Sequence, residues 1–202
     1  MSLAIGQTLA NIGFSSRRGY GRKDDDELMA AYQGGDMHAF DELYQRFKQP
    51  LYSFLIRQSG GEPIARELFQ DVWLRVISSS KRYSGSGRFR SWLFTLAHNR
   101  LVDYYRQQDR IPGCEEFTDE VTPTHRSPER DAILTERAEL LQSTVASLPT
   151  EQKEAFLLRE EAGLTIKEVA DTQNISHEAA KSRLRYAYGK IRAKLAETEN
   201  ET

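Results

Sequence analysis

The sequence predicts an all-α protein: two small helical domains joined by a flexible linker. Three observations lead there. Apolar residues recur at three- and four-residue intervals through two long blocks, as an amphipathic helix requires. Between the blocks, residues 108–130 hold Pro112, Gly113, Pro123 and Pro128, six acids and only three bases, the composition of an extended, mobile linker. Near the C-terminus a capped helix, a turn residue and a second helix follow one another. The 202 residues suit one or two small domains, and a hydrophobic content of 39% is enough for real cores. The expected division is a disordered basic leader over 1–23, a first domain over 24–107, the linker, and a second domain over 131–197.

In the first block, Leu28, Ala31 and Tyr32 precede Gly34-Gly35-Asp36, which reads as a turn, and Ala39, Phe40, Leu43, Tyr44 and Phe47 follow on a second helix. Pro50 is expected to open a new helix carrying Leu51, Phe54 and Leu55, closed by Gly60-Gly61. A strong amphipathic segment spans Ile64 to Ile77, with Ala65, Leu68, Val72 and Val76 on one face. After the loop Ser84-Gly85-Ser86-Gly87, Ser91 is placed to cap a helix running to about Arg106. In the second block Ile133, Leu134, Ala138, Leu141 and Val145 form a helix that ends before Pro149. Another runs from Glu151 to Glu161 and breaks at Gly163.

The net charge of −2 conceals a strong segregation. Residues 24–71 hold ten acids against four bases. Residues 81–106 and 176–195 each hold six bases against one acid. Two basic segments can each meet a polyanion, and an acidic one precedes the first. Cys114 is the only cysteine, which rules out a disulfide framework and suits a reducing cytoplasm. No metal spacing occurs, no cofactor is implied, and no apolar run approaches the ~20 residues that span a bilayer. The first 23 residues hold four bases, no acid and no continuous apolar stretch, unlike a secretory signal. An enzyme is not expected, because carboxylate clusters, nucleophile–base pairs and phosphate-cradling loops are missing from the pattern.

Residues 165–195 carry the clearest motif. Thr165-Ile-Lys-Glu168 fits a capping box. Ile166, Val169 and Ala170 point inward, and Ala170 is small enough for a close helix crossing. Asn174 stands where the turn needs a left-handed backbone, Ile175 plugs the turn, and Ser176 caps the second helix. That helix keeps one apolar stripe, Ala180, Leu184, Ala187, Ile191 and Leu195. Its other face holds Glu178, Lys181, Ser182, Arg185 and Arg192, as major-groove insertion requires. Tyr186 and Tyr188 fit either packing or DNA contact, Tyr188 packing more readily.

These residues resemble a known family. Leu164-Thr-Ile-Lys-Glu-Val-Ala170, Asn174-Ile-Ser and Lys181-Ser-Arg-Leu-Arg185 through Lys190-Ile-Arg192 are similar to the C-terminal domain of extracytoplasmic-function (ECF) sigma factors. Independently, Ala65 to Val76 resembles their polymerase-docking helix, and Phe89-Arg-Ser-Trp-Leu-Phe-Thr-Leu-Ala-His-Asn99 with Asp103 and Arg106 resembles their promoter-melting segment. The likeness covers about residues 24–195. It implies a sigma2-like domain, a linker and a sigma4-like helix-turn-helix domain, acting without catalysis to recognise and open promoters. Its implied partners are core RNA polymerase (the β′ clamp helices and the β flap), promoter DNA and an anti-sigma factor. The tether would allow both a compact inhibited form and an extended polymerase-bound form.

By resemblance, His177, Glu178, Lys181, Ser182, Arg183 and Arg185 read the −35 element. Lys81, Arg82, Tyr83, Arg88, Phe89, Arg90, Trp92, Asn99 and Arg100 bind and melt the −10 element, with the loop over 81–88 capturing a flipped base. Aromatic rings among cations suit stacking on unpaired bases, although Phe89 and Trp92, at least for part of each ring, fit a core more readily, and Asn99 could orient neighbours instead. Glu67, Gln70, Asp71 and Arg75 would dock on the clamp; their alternative is a solvated face. Ala180 and Asn174 replace a larger aliphatic residue and a glycine of the common pattern, and the short Ala179 limits direct readout. A stand-alone helix-turn-helix regulator is the competing reading; it leaves residues 64–106 unexplained.

Overall fold

The computed structural model describes residues 23–85, 88–108 and 132–200, with side chains at 139–197 in the last stretch. Expectations for the leader up to residue 22 and for the linker over 109–131 lie outside the described residues.

Among the described residues the chain is helical and has no strand. The first body comprises α1 (Asp25–Gln33), α2 (Met37–Gln58), α3 (Glu62–Ser79), a short 3₁₀ turn (Ser80–Arg82) and α4 (Phe89–Gln108). Asp24 caps α1 through a reciprocal capping box with Glu27. Asp36 caps α2 by accepting from the His38 N–H at 3.0 Å. Leu28, Leu43, Phe47, Phe54, Leu68, Val72, Phe89 and Phe94 fill the core with essentially no exposure. Edge-on ring pairs such as Phe47–Phe89 and Phe54–Phe94 interlock α2 with α4.

Pro50 lies inside α2 and does not begin a helix. A proline in a helix interior costs about 3 kcal/mol through its lost N–H and ring clash. Phe47, Leu51, Phe54 and Leu55 continue one buried stripe across it, and each such side chain contributes about 1.5–3 kcal/mol on burial. Packing therefore outweighs the local preference. Ser91 is not the cap of α4 either; that helix starts at Phe89.

The second body comprises α5 (Ala132–Ala146), α6 (Thr150–Glu160), α7 (Ile166–Gln173) and α8 (His177–Asn200). Val145, Leu157, Leu158, Val169, Ala180, Leu184, Ala187 and Ile191 form its core, so the apolar stripe of α8 lies inward as its spacing foretold. The two bodies touch each other: α4 lies along α7, and α2 reaches α6.

Candidate nucleic-acid interface

The helix-turn-helix of α7 and α8 is built as its sequence implies. Thr165 Oγ1 and Glu168 close the capping box of α7. Burial raises the Glu168 carboxyl, but hydrogen bonds from the Thr165 hydroxyl and N–H, together with Arg88, outweigh it and hold the group below its ordinary range. Asn174 is left-handed at φ 53° and the only non-glycine residue with positive φ among the described residues. Ser176 Oγ accepts from the Ala179 N–H at 3.1 Å and opens α8.

Lys181 and Arg185 project outward from α8, and His177, Glu178 and Tyr186 are exposed beside them. Lys181 meets Glu178 at 3.3 Å, but half of the Lys181 side chain remains in solvent, so water screens this pair heavily. The Arg185 guanidinium stacks on the Tyr186 ring at 5.4 Å. Arg183 differs from its neighbours. It donates to Gln173 Oε1 at 3.1 Å and Glu151 Oε2 at 2.6 Å, bracing α8 against α7 and α6. Tyr188 packs its ring on Phe156 at 5.6 Å and bonds Glu160. Burial, then that bond, raises its hydroxyl pKa to about 12.

In the first body, Lys81, Arg82, Arg88 and Asn99 are exposed. The aromatic candidates are not. Phe89 is wholly enclosed, Tyr83 is 9% exposed, and Trp92 is partly buried against both at ring separations of 5.8 and 4.9 Å. In this arrangement Phe89 offers no face to a base. Tyr83 donates its hydroxyl to Asp26, and burial followed by that bond pushes its pKa well up.

Arg100, expected at DNA, is only 12% exposed and donates from Nε to Asp71 at 2.7 Å, with Glu67 at 3.8 Å. Two residues read as docking groups therefore pair with one read as a DNA contact. The reason is geometric: α3 and α4 lie side by side and bring the three together. Arg75 meets Asp103 at 3.5 Å on the same seam. There, Asp71, Leu74, Arg75, Ile77, Arg100 and Asp103 line an open groove of about 640 Å³. Leu74 and Ile77 are 44% and 42% exposed, and Gln70 is solvent-facing on the same helix.

Several cross-body contacts were not legible in the sequence. His98 Nδ1 lies 2.6 Å from Glu154 Oε1, and Thr95 Oγ1 lies 3.2 Å from Thr172 Oγ1. Arg57 pairs with Glu161 at 2.9 Å. Burial raises the Glu161 pKa and Arg57 only partly offsets it. Arg88 reaches Glu168 at 3.4 Å, and Arg90 donates to the Ala162 carbonyl at 3.1 Å. Gly163 follows Ala162 in the left-handed conformation that favours glycine, at φ +66°. The second body thus sits against the basic start of α4.

The chain thus presents a helix-turn-helix with an outward cationic helix, packed against a four-helix body. Residues 43–111 match the model for sigma-70 region 2, and residues 138–191 the model for sigma-70 region 4. The sigma factor CarQ of Myxococcus xanthus is 31% identical over 173 residues, spanning 86% of this chain and 98% of CarQ. The ECF sigma factor SigE of Mycolicibacterium smegmatis is 29% identical over 82% of this chain and 65% of its own length. Among solved structures, CnrH bound to the cytosolic domain of CnrY shares the fold with a TM-score of 0.61 at 24% identity, covering 85% of this chain and 97% of that one. The chain belongs to the extracytoplasmic-function group of the sigma-70 family of RNA polymerase sigma factors. The region 2 match removes the stand-alone regulator, which had no use for the first body.

Proposed function

We propose that this chain is a promoter-specificity subunit whose first body docks on core RNA polymerase and opens the −10 element while α8 reads the −35 element. The observation that carries it is the pairing, on one chain and in the order of the family, of an apolar-and-charged docking seam with a helix-turn-helix whose Lys181 and Arg185 face solvent. Lys181 and Arg185 fit phosphate and guanine contacts, with His177, Glu178 and Ser182 beside them. Arg183 fits bracing better than reading. Lys81, Arg82, Arg88, Arg90 and Asn99 fit single-strand binding. Glu67, Gln70, Asp71 and Arg75 fit the clamp helices, and the β flap fits the second body. Residues 24–107 and 131–197 would be the functional units, acting in the cytoplasm.

The packed arrangement of the two bodies fits an inactive form. Arg88 and Arg90 spend donors on α7 and on the Ala162 carbonyl just past α6, so part of the −10 surface would be engaged while the bodies touch. Core polymerase would separate them, and an anti-sigma factor would favour the closed form. That partner is suggested by CnrH with CnrY and by RpoE of Bartonella quintana with the anti-sigma factor NepR.

Run-off transcription with purified core polymerase on a genomic promoter library tests the reading. Specific initiation should appear only when this chain is added. Changing Lys181 and Arg185 to Ala should weaken −35 recognition and leave core affinity intact. Binding to duplex promoters without polymerase, as tight as with it, would sink the proposal.

A further inference from the structure

The start of α4 is held by a residue from another helix. The first N–H groups of any helix lack intrahelical partners. For α4 the Phe89 N–H donates to Asp26 Oδ1 at 2.7 Å, and Asp26 belongs to α1. The same carboxylate oxygen accepts the Tyr83 hydroxyl on the other side of the loop. Two turns along α1, Gln33 Nε2 donates to the carbonyls of Ser80 at 2.7 Å and Tyr83 at 2.8 Å. Asp26 and Gln33 are seven residues apart and therefore share one face of the helix, about 10 Å from each other along the axis. Asp25 adds a longer contact to Arg90 at 3.9 Å.

We infer that Asp26 and Gln33 are positioning residues for −10 recognition: α1 is a brace that fixes the segment bearing Lys81 and Arg82 relative to Arg88 and the start of α4. The inference rests on the function proposed above. Neither residue touches DNA. Gln33 fixes the exit of the 3₁₀ turn through two backbone carbonyls. Asp26 fixes the entry of α4 through a backbone N–H, and its negative charge at a helix N-terminus is favourable in itself. The groups that would hold an unpaired base thus have their spacing set by a rigid helix instead of by the glycine-containing loop between them. Readout by hydrogen bonds and stacking needs such groups held to within about 0.5 Å. A loop freed at either end would still bind backbone phosphates but would lose base discrimination.

The test is holoenzyme initiation from a promoter library randomised separately at −10 and at −35, with Asp26→Ala, Gln33→Ala and Asp26→Asn. Affinity for core polymerase is measured in parallel. Preference at one or more −10 positions should fall about tenfold in Asp26→Ala, equivalent to about 1.4 kcal/mol, and less in Gln33→Ala. The −35 preference and core affinity should hold. Asp26→Asn should retain most −10 discrimination, because its amide oxygen can accept both bonds. Unchanged −10 preference in both alanine variants would overturn the inference. So would an equal loss at −10 and −35, which is the signature of a merely structural role. If Asp26→Ala fails to fold, Gln33→Ala, at an exposed position, decides alone. A parent chain that shows no −10 preference would instead refute the proposed function.

Discussion

Glu154 is the side chain on which the contact between the two bodies turns most clearly. It is 14% exposed and faces His98, 15% exposed, with 2.6 Å between Oε1 and Nδ1. The carboxylate accepts, so the His98 proton in this contact sits on Nδ1. Its other oxygen accepts from Gln173 Nε2 at 2.8 Å within the second body. Hydrogen bonds to charged groups contribute about 1.5–3 kcal/mol net. Of these two Glu154 bonds, the one to His98 crosses between bodies, so Glu154→Ala should shift the closed-to-open ratio by roughly 10- to 100-fold. Fluorescence energy transfer can read this. Cysteines at Met37 and Tyr186, 54% and 59% exposed, would carry the dyes in a Cys114→Ser background. Transfer should fall in Glu154→Ala and in His98→Ala. The second variant separates the cross-body bond from any loosening of Gln173. Equal transfer in both variants and the parent would refute the closed form as a state held by this contact.

Three further outcomes are expected. Gln70→Ala should weaken core polymerase binding by roughly fivefold, about 1 kcal/mol, without affecting folding. Asp71→Ala should lower thermal stability as well, because it strips the 12% exposed Arg100 of its nearest partner; competition for core and melting curves distinguish the two. Asn174→Ala should cost about 1 kcal/mol in urea unfolding because a β-carbon is unfavourable in the left-handed region, while Asn174→Gly should fold at least as well. Glu168 has a depressed pKa, so its contribution is fully present above the ordinary value of 4.5 and is lost as pH falls through the lowered folded value. Acid titration of stability should show that loss in the parent and a smaller one in Glu168→Gln.

The helix-turn-helix was legible because its determinants are local. A capping box spans four residues, a left-handed turn residue acts on its own backbone, and the stripe from Ala180 to Ile191 follows from 3.6 residues per turn. The segregation of charge was likewise legible without any structure, as two basic segments each suited to a polyanion. Tertiary packing decided the rest. Pro50 stays inside α2 because its flanking apolar stripe is buried. Arg100 turns to Asp71 because α3 and α4 run side by side, and Phe89 leaves the candidate DNA surface for the core. Asp26 counted only as one of the ten acids over residues 24–71, yet it caps a helix 63 residues away. His98 and Glu154 carried no signal at all, since their meeting depends on how two bodies approach. Local geometry is written in neighbouring residues. Which distant partner satisfies a buried donor is settled only when the whole chain has packed.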